Sequence, residues 1–434
     1  MHPAHLWPGL SLLAAALAAA PAVQPAGWWQ WRGPFNTGMA VGSAPLQWSD
    51  GTGVRWKTAI PGRGHSTPVV VGDRLFLTTA IPTGRGSEPV GRSRGGGGGA
   101  AAGLEHRFEV IAIHRATGAI AWQRTASVAM PHEGYHGTYG SFASNSPVTD
   151  GQRVFAFFGS RGLFAYSPHG ELLWQKDFGT KLRMDGAFGE GTAPVLHDGR
   201  LLVLFDHLER GFLAVLDAAT GRELFRIPRP ERHNWAAPFV ATHDGRRQIV
   251  VNGETTRGYD YNSGAELWRA DGLGENSVPQ AVQHGDRVFV MSGHTIKMLM
   301  AIRLGRRGDL TGTDAISWST PRGVSYRPSP LLHDSKLYVV SDAGLVSCLD
   351  ADTGRALWGP ERLPKPYTFK ASPVDAGGRI YLATEEGDVV VLRLADKFEV
   401  LATNTLQDQS FIASPVVVDG SIYLRSRTHL FRID

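Results

Sequence analysis

The sequence is short of cysteine: Cys348 stands alone among 434 residues. An intrachain disulfide is therefore impossible, and packing must hold the fold. The surrounding VSCLD is apolar and predicts a buried, inert thiol. Long hydrophobic runs are missing beyond LWPGLSLLAAALAAAPA at residues 6–22. That run is interrupted by Pro8 and ends in the small-residue site Ala20-Pro21-Ala22, so residues 1–22 read as a secretory signal rather than a membrane span. A periplasmic or extracellular protein is expected and, with no cysteine near the signal, one without a lipid anchor. Charge of one sign is lacking too: 44 basic and 40 acidic side chains leave +4. The arginines are scattered, without a basic cluster interleaved with aromatics, so a nucleic-acid groove is not expected. No apolar stripe of helical period runs long enough to mark a helix.

What is present is one phrase written eight times. A small residue and a proline lead into a few apolar residues, a Gly/Asp turn and a second apolar strand, as in HSTPVVVGDRLFLT (65–78) and KASPVDAGGRIYLA (370–383). The prolines are Pro68, Pro147, Pro194, Pro238, Pro279, Pro330, Pro373 and Pro415. After the first interval they recur every 41–51 residues, the span of a four-stranded propeller blade. Each copy continues into a third strand, a turn and a fourth strand, as in LAVLDAATGRELF (213–225) and VSCLDADTGRALW (346–358). The Asp and Thr-Gly are hairpin chemistry, with Gly supplying positive φ. Trp122, Trp174, Phe225, Trp268, Trp318 and Trp358 close successive copies. At that period they read as packing in the wedge-shaped gaps between twisted blades, not as a ligand-stacking platform.

The expected fold is all-β, an eight-bladed β-propeller of four-stranded antiparallel blades. The eighth copy stops at Asp434 without a fourth strand, whereas GVRWKTAIP (53–61) alternates like one through Val54, Trp56 and Thr58. This N-terminal strand is expected to complete the last blade and remove the ring's open edges. Residues 53–434 then form one monomeric propeller, with 23–52 as a lead-in. The first long interval holds PTGRGSEPVGRSRGGGGGAAAGLEH (82–106), which lacks the spacing of a phosphate-binding loop. It reads as a disordered surface insertion with Arg85, Arg92 and Arg94 solvated.

First strands lie innermost, so the turns preceding them gather around the axis on one face. They bring Arg63 and His65, Ser144 and Asn145, Glu190, Asn234 and Trp235, Glu275 and Asn276, Tyr326 and Arg327, and Lys370. Convergent polar and aromatic groups in a concavity are the default ligand-binding face. Two local clusters carry less. His132-Glu133-Gly134-Tyr135-His136 matches the literal spacing of a helical zinc motif, but Pro131, Gly134 and Gly137 oppose the helix that would aim both imidazoles at one ion. Asp206 and His207 end a second strand and read as a hydrogen-bonded pair with no nucleophile beside them. No catalytic or metal-binding set is expected.

The SPVV-x-G-D/G-R-hydrophobic unit followed by D-A-x-T-G-x-x-L-W resembles the pyrroloquinoline-quinone-like repeat family over residues 28–434. Its eight-bladed members include quinoprotein alcohol dehydrogenases and the propeller lipoprotein of the outer-membrane β-barrel assembly machine. WWQWRGPFNTG (28–38) and THLFRID (428–434) look like those of secreted bacterial propellers with the same repeats. Resemblance to the dehydrogenases implies a quinone held against Ca²⁺ by a Glu and an Asn, with an Asp as base and often a vicinal Cys-Cys disulfide. Glu190, Asn234 and Glu275 are the positions where such ligands would fall, but a lone cysteine forbids the disulfide and the blades lack roof-building insertions. The leading expectation is a non-enzymatic scaffold, without a cofactor, presenting its faces to a protein, peptide or polysaccharide. The alternative is a quinone- or metal-dependent oxidoreductase with a reduced site.

Overall fold

A computed structural model describes residues 27–86, 99–100, 103–184 and 188–434. The expected signal and the centre of the glycine-rich insertion, including Arg92 and Arg94, lie outside the described residues. Eight antiparallel sheets follow one another along the chain and close into an eight-bladed propeller. Blade three shows the plan: strands Val195–His197, Arg200–Phe205, Gly211–Asp217 and Glu223–Arg229 pair in chain order from the axis outward. Its Asp198-Gly199 turn has φ of 42° and 70°, the two positive values a two-residue hairpin requires. Among the described residues no helix is long and apolar enough to cross a membrane.

Two stitches bind blade to blade. Near the axis, the residue before the repeat proline is Thr67, Ser146, Ser329, Ser372 or Ser414. The Thr67 amide donates to Ser146 Oγ, that of Ser329 to Ser372, that of Ser372 to Ser414, and that of Ser414 to Thr67 Oγ1, at 2.9–3.1 Å. The small polar residue of the repeat is thus a cross-blade hydrogen bond, worth about 1 kcal/mol each. At the rim the indole nitrogens of Trp122, Trp174, Trp318 and Trp358 donate to Pro168, Ala218, Ala351 and Ala395 carbonyls in the next blade. The turn glycine of that next blade lies under the indole: a Cβ on Gly221 would sit 2.6 Å from Trp174. Glycine is therefore required there twice, for φ of 71° and for the ring. Trp268 departs from this pattern. It is fully buried and donates within its own blade, to Gln248 Oε1 at 2.5 Å.

Val54–Ala59 pairs antiparallel with His429–Ile433 and completes blade eight, as expected. The Asp434 amide donates to the Gly53 carbonyl, the bond that Asp217 makes to Arg222 inside a continuous hairpin. Trp56 serves blade eight, donating to Arg115 of blade one. Blade seven has Ala402 where the aromatic should stand. Trp48 of the lead-in supplies it, stacking on Tyr381 at 6.5 Å much as Trp56 meets Tyr423 and Trp358 meets Tyr338.

The eight four-stranded antiparallel blades are as expected, blade four carrying in addition a two-residue parallel edge, Gly308–Asp309, beside Glu266–Asp271. One expectation is corrected. The glycine-rich insertion begins and ends as ordered strand: Arg74–Gly86 and Leu104–His114 form one long hairpin, since alternating partners such as Phe108 and Ala80 continue the core. Arg85 on it is exposed as expected and also ion-paired with Glu105.

Candidate functional site

The lead-in crosses the axis at one end of the ring. Trp28 exchanges two backbone hydrogen bonds with Val70 of blade one, and the Trp29 carbonyl accepts from Thr149 of blade two. Arg32, 1% exposed, then donates to the Pro373 and Pro330 carbonyls of blades seven and six and to Thr37. Burial without a carboxylate pushes its guanidinium down to about 9. Gly38 and Ala40 finally pair with Asp375 of blade seven. The strap runs past the ends of the innermost strands and plugs the channel there.

The opposite end stays open as an axial cavity of about 200 Å³, reaching from Tyr139, Tyr326, Arg327 and Lys370 down to Trp31 of the strap. Of the expected site residues, His65, Ser144, Glu190, Trp235, Tyr326, Arg327 and Lys370 line it. The others turn away. Asn145 Nδ2 donates to the Thr192 carbonyl, and Asn276 Nδ2 meets His294 Nδ1. Asn234 caps Ala236 through Oδ1 and spends Nδ2 on Asp206 and the Asn252 carbonyl. Arg63 donates to the Gly137 and Thr138 carbonyls and lies over the Tyr135 ring, and Glu275 is not part of the lining. Phe188 and Trp31 line the cavity with no repeat position to announce them.

The lining is electrically self-satisfied. Glu190 accepts from the Ser160 amide and hydroxyl at 2.5 and 2.8 Å and pairs with Arg161 at 2.7 Å. Lys370 pairs with Glu385 at 2.6 Å, and Arg327 with Asp342 at 2.8 Å. Burial, reinforced by Arg425, Arg63 and Arg427, pushes His65 down to about 3, so its imidazole is neutral. Burial lifts the Tyr326 phenol to about 12.

The two local clusters resolve differently from one another. His132 Nε2 meets the Leu182 carbonyl, Glu133 accepts from the Met184 amide, and His136 stacks on Tyr139, so the zinc-like spacing has no common focus. The expected Asp206–His207 pair is overturned. Asp206 instead takes a bidentate bond from fully buried Arg229, at 2.8 and 2.9 Å, because an unpaired buried guanidinium would cost far more than an imidazole. Cys348 is buried, and burial pushes its thiol up to about 11, so it is inert as expected.

The repeats, the eight-bladed ring and its N-terminal closure resemble those of the pyrroloquinoline-quinone-like propeller family. Within it, the model described as outer membrane protein assembly factor BamB matches residues 161–317. BamB of Moranella endobia (strain PCIT) is 29% identical over 105 residues, 22% of this chain and 26% of that protein. The match thus spans about a quarter of the curated relative's length. Among solved structures, the quinohemoprotein alcohol dehydrogenase from Comamonas testosteroni superposes with a TM-score of 0.62 at 12% identity, covering 95% of this chain and 81% of that one. A europium-containing methanol dehydrogenase gives 0.60 at 12% identity, over 93% and 89%. At such identity the likeness is one of fold.

Proposed function

We propose that this protein is a non-enzymatic scaffold of the bacterial periplasm or exterior, monomeric, which binds a protein or peptide partner at the mouth of its axial cavity. One observation carries the reading: the oxygens that a Ca²⁺-held quinone would require are already spent. Glu190 is taken by Arg161 and Ser160, Asn234 faces Asp206 and Asn252, and Glu275 stands outside the cavity lining. A hard cation needs six or more converging oxygens, so these residues do not fit the cofactor. What the mouth offers is aromatic surface from Tyr139, Phe188, Trp235 and Tyr326 beside two cations, the composition that anchors protein partners. The likeness to an outer membrane protein assembly factor supports the same reading.

The test places a photo-crosslinking amino acid at Trp235 or at Leu172 on the outer rim, in the cells of origin. A discrete adduct from the mouth and none from the rim is expected. Mature protein given pyrroloquinoline quinone, Ca²⁺, a primary alcohol and an artificial electron acceptor should show no turnover. Turnover that needs both cofactors overturns the scaffold reading.

A further inference from the structure

The segment that leads into blade two does not stay over its own blades. Tyr139 reaches across the mouth, where Arg327 Nη2 of blade six donates to its hydroxyl at 2.9 Å. The Arg327 guanidinium lies 4.6 Å from the ring centroid and the Lys370 ammonium of blade seven 5.3 Å from it. On the same ring His136 stacks at 3.5 Å and 14°. Arg63 of blade one holds the neighbouring Gly137 and Thr138 carbonyls at 3.0 and 3.1 Å. The tip itself is thinly packed, since a Cβ on Gly137 would meet nothing within 4 Å.

Three cations from three blades thus hold one loop through acceptor oxygens and a π face. Arg327 and Lys370 keep Asp342 and Glu385 as partners, but Arg427 shares Glu385 with Lys370 and Arg63 is held there by carbonyl oxygens. Lifting the loop frees donors on all three blades at once. The incoming group that satisfies them best is one rich in carboxylate oxygens, spaced along a chain rather than focused on one point.

We propose that the tip at residues 137–139, beyond the core-packed Tyr135, is a lid latched by Tyr139 over the axial cavity, and that the ligand which opens it is an acidic peptide segment. This rests on the binding reading above and names its ligand and its gate. The latch competes with the ligand, so one charge-assisted hydrogen bond and the cation–π contacts together hold affinity down by about 10-fold.

The experiment uses the mature full chain and fluorescein-labelled hexaglutamate, followed by anisotropy, with hexalysine as the opposite-charge probe. Tyr139→Ala should bind hexaglutamate about 10-fold tighter than the parent, and Lys370→Ala about 10-fold more weakly. Hydrogen exchange over residues 137–139 should be faster in Tyr139→Ala before any peptide is added. Near-UV circular dichroism checks that each variant is folded. A Tyr139→Ala protein that binds no tighter and exchanges no faster overturns the lid, whatever partner the mouth is found to crosslink. Equal binding of hexalysine, or hexaglutamate bound by neither protein, overturns the acidic ligand.

Discussion

The two ends of the axial channel are closed in opposite ways. At one end the strap is built in by backbone: Trp28, Trp29, Gly38 and Ala40 exchange main-chain hydrogen bonds with blades one, two and seven, and buried Arg32 grips blades six and seven. At the other, the tip at Gly137–Tyr139 meets those blades through the side chains of Arg63, Arg327, Lys370 and Tyr139 itself. Backbone pairing fixes a segment whether or not solvent competes. Side-chain latches between partly buried groups are worth about 1 kcal/mol each and are exchangeable. One closure is structural, and the other has the strength of something meant to be displaced.

The sharpest way to break that contrast is Arg32→Ala. It leaves two buried carbonyls and one partly buried carbonyl without their donor and should lower unfolding stability by about 3 kcal/mol in a urea titration. An intermediate effect separates the ends by pH. His65 at the open end is held below its unfolded value of 6.5, down to about 3, so the unfolded chain takes up the proton first. Its contribution is complete above pH 6.5 and is lost as pH falls toward 3, about 2 kcal/mol between pH 7 and 5. His65→Gln should flatten that part of the stability–pH curve. The smallest effect belongs to the latch. Tyr139→Phe keeps the ring and removes only the bond to Arg327, and should shift stability by less than about 0.5 kcal/mol. If it costs as much as Arg32→Ala, the two ends are not different in kind.

How much of this was legible in the residues follows from what repeats. The blade plan, the rim tryptophans and the closure by Val54–Ala59 recur with a period, and each recurrence constrains the others. Trp48 was missed because it fills blade seven from a segment outside the repeat, and the strap for the same reason. In the site, position was legible and orientation was not. A turn before a first strand fixes where a Cα lies, but Asn145 and Asn234 were drawn sideways by unsatisfied backbone groups that no motif announces. Tyr139 lies three residues beyond the misleading zinc-like spacing, at no repeat position that would announce it. Its role depends on Arg327, 188 residues away.

The seating of Trp48 and Val54–Ala59 in the last two blades also sets an order of events during synthesis. These residues emerge before any of the blades, yet Trp48 finds Asn404 across 356 residues and Arg55 finds Asp434 across 379. No shorter nascent chain can hold them. Early blades can pair locally, but the opening strand must travel unpartnered until the final hairpin exists, exposing an apolar edge for the whole of translation and any export. A chain of this design should depend on holding factors in vivo more than its finished stability would imply.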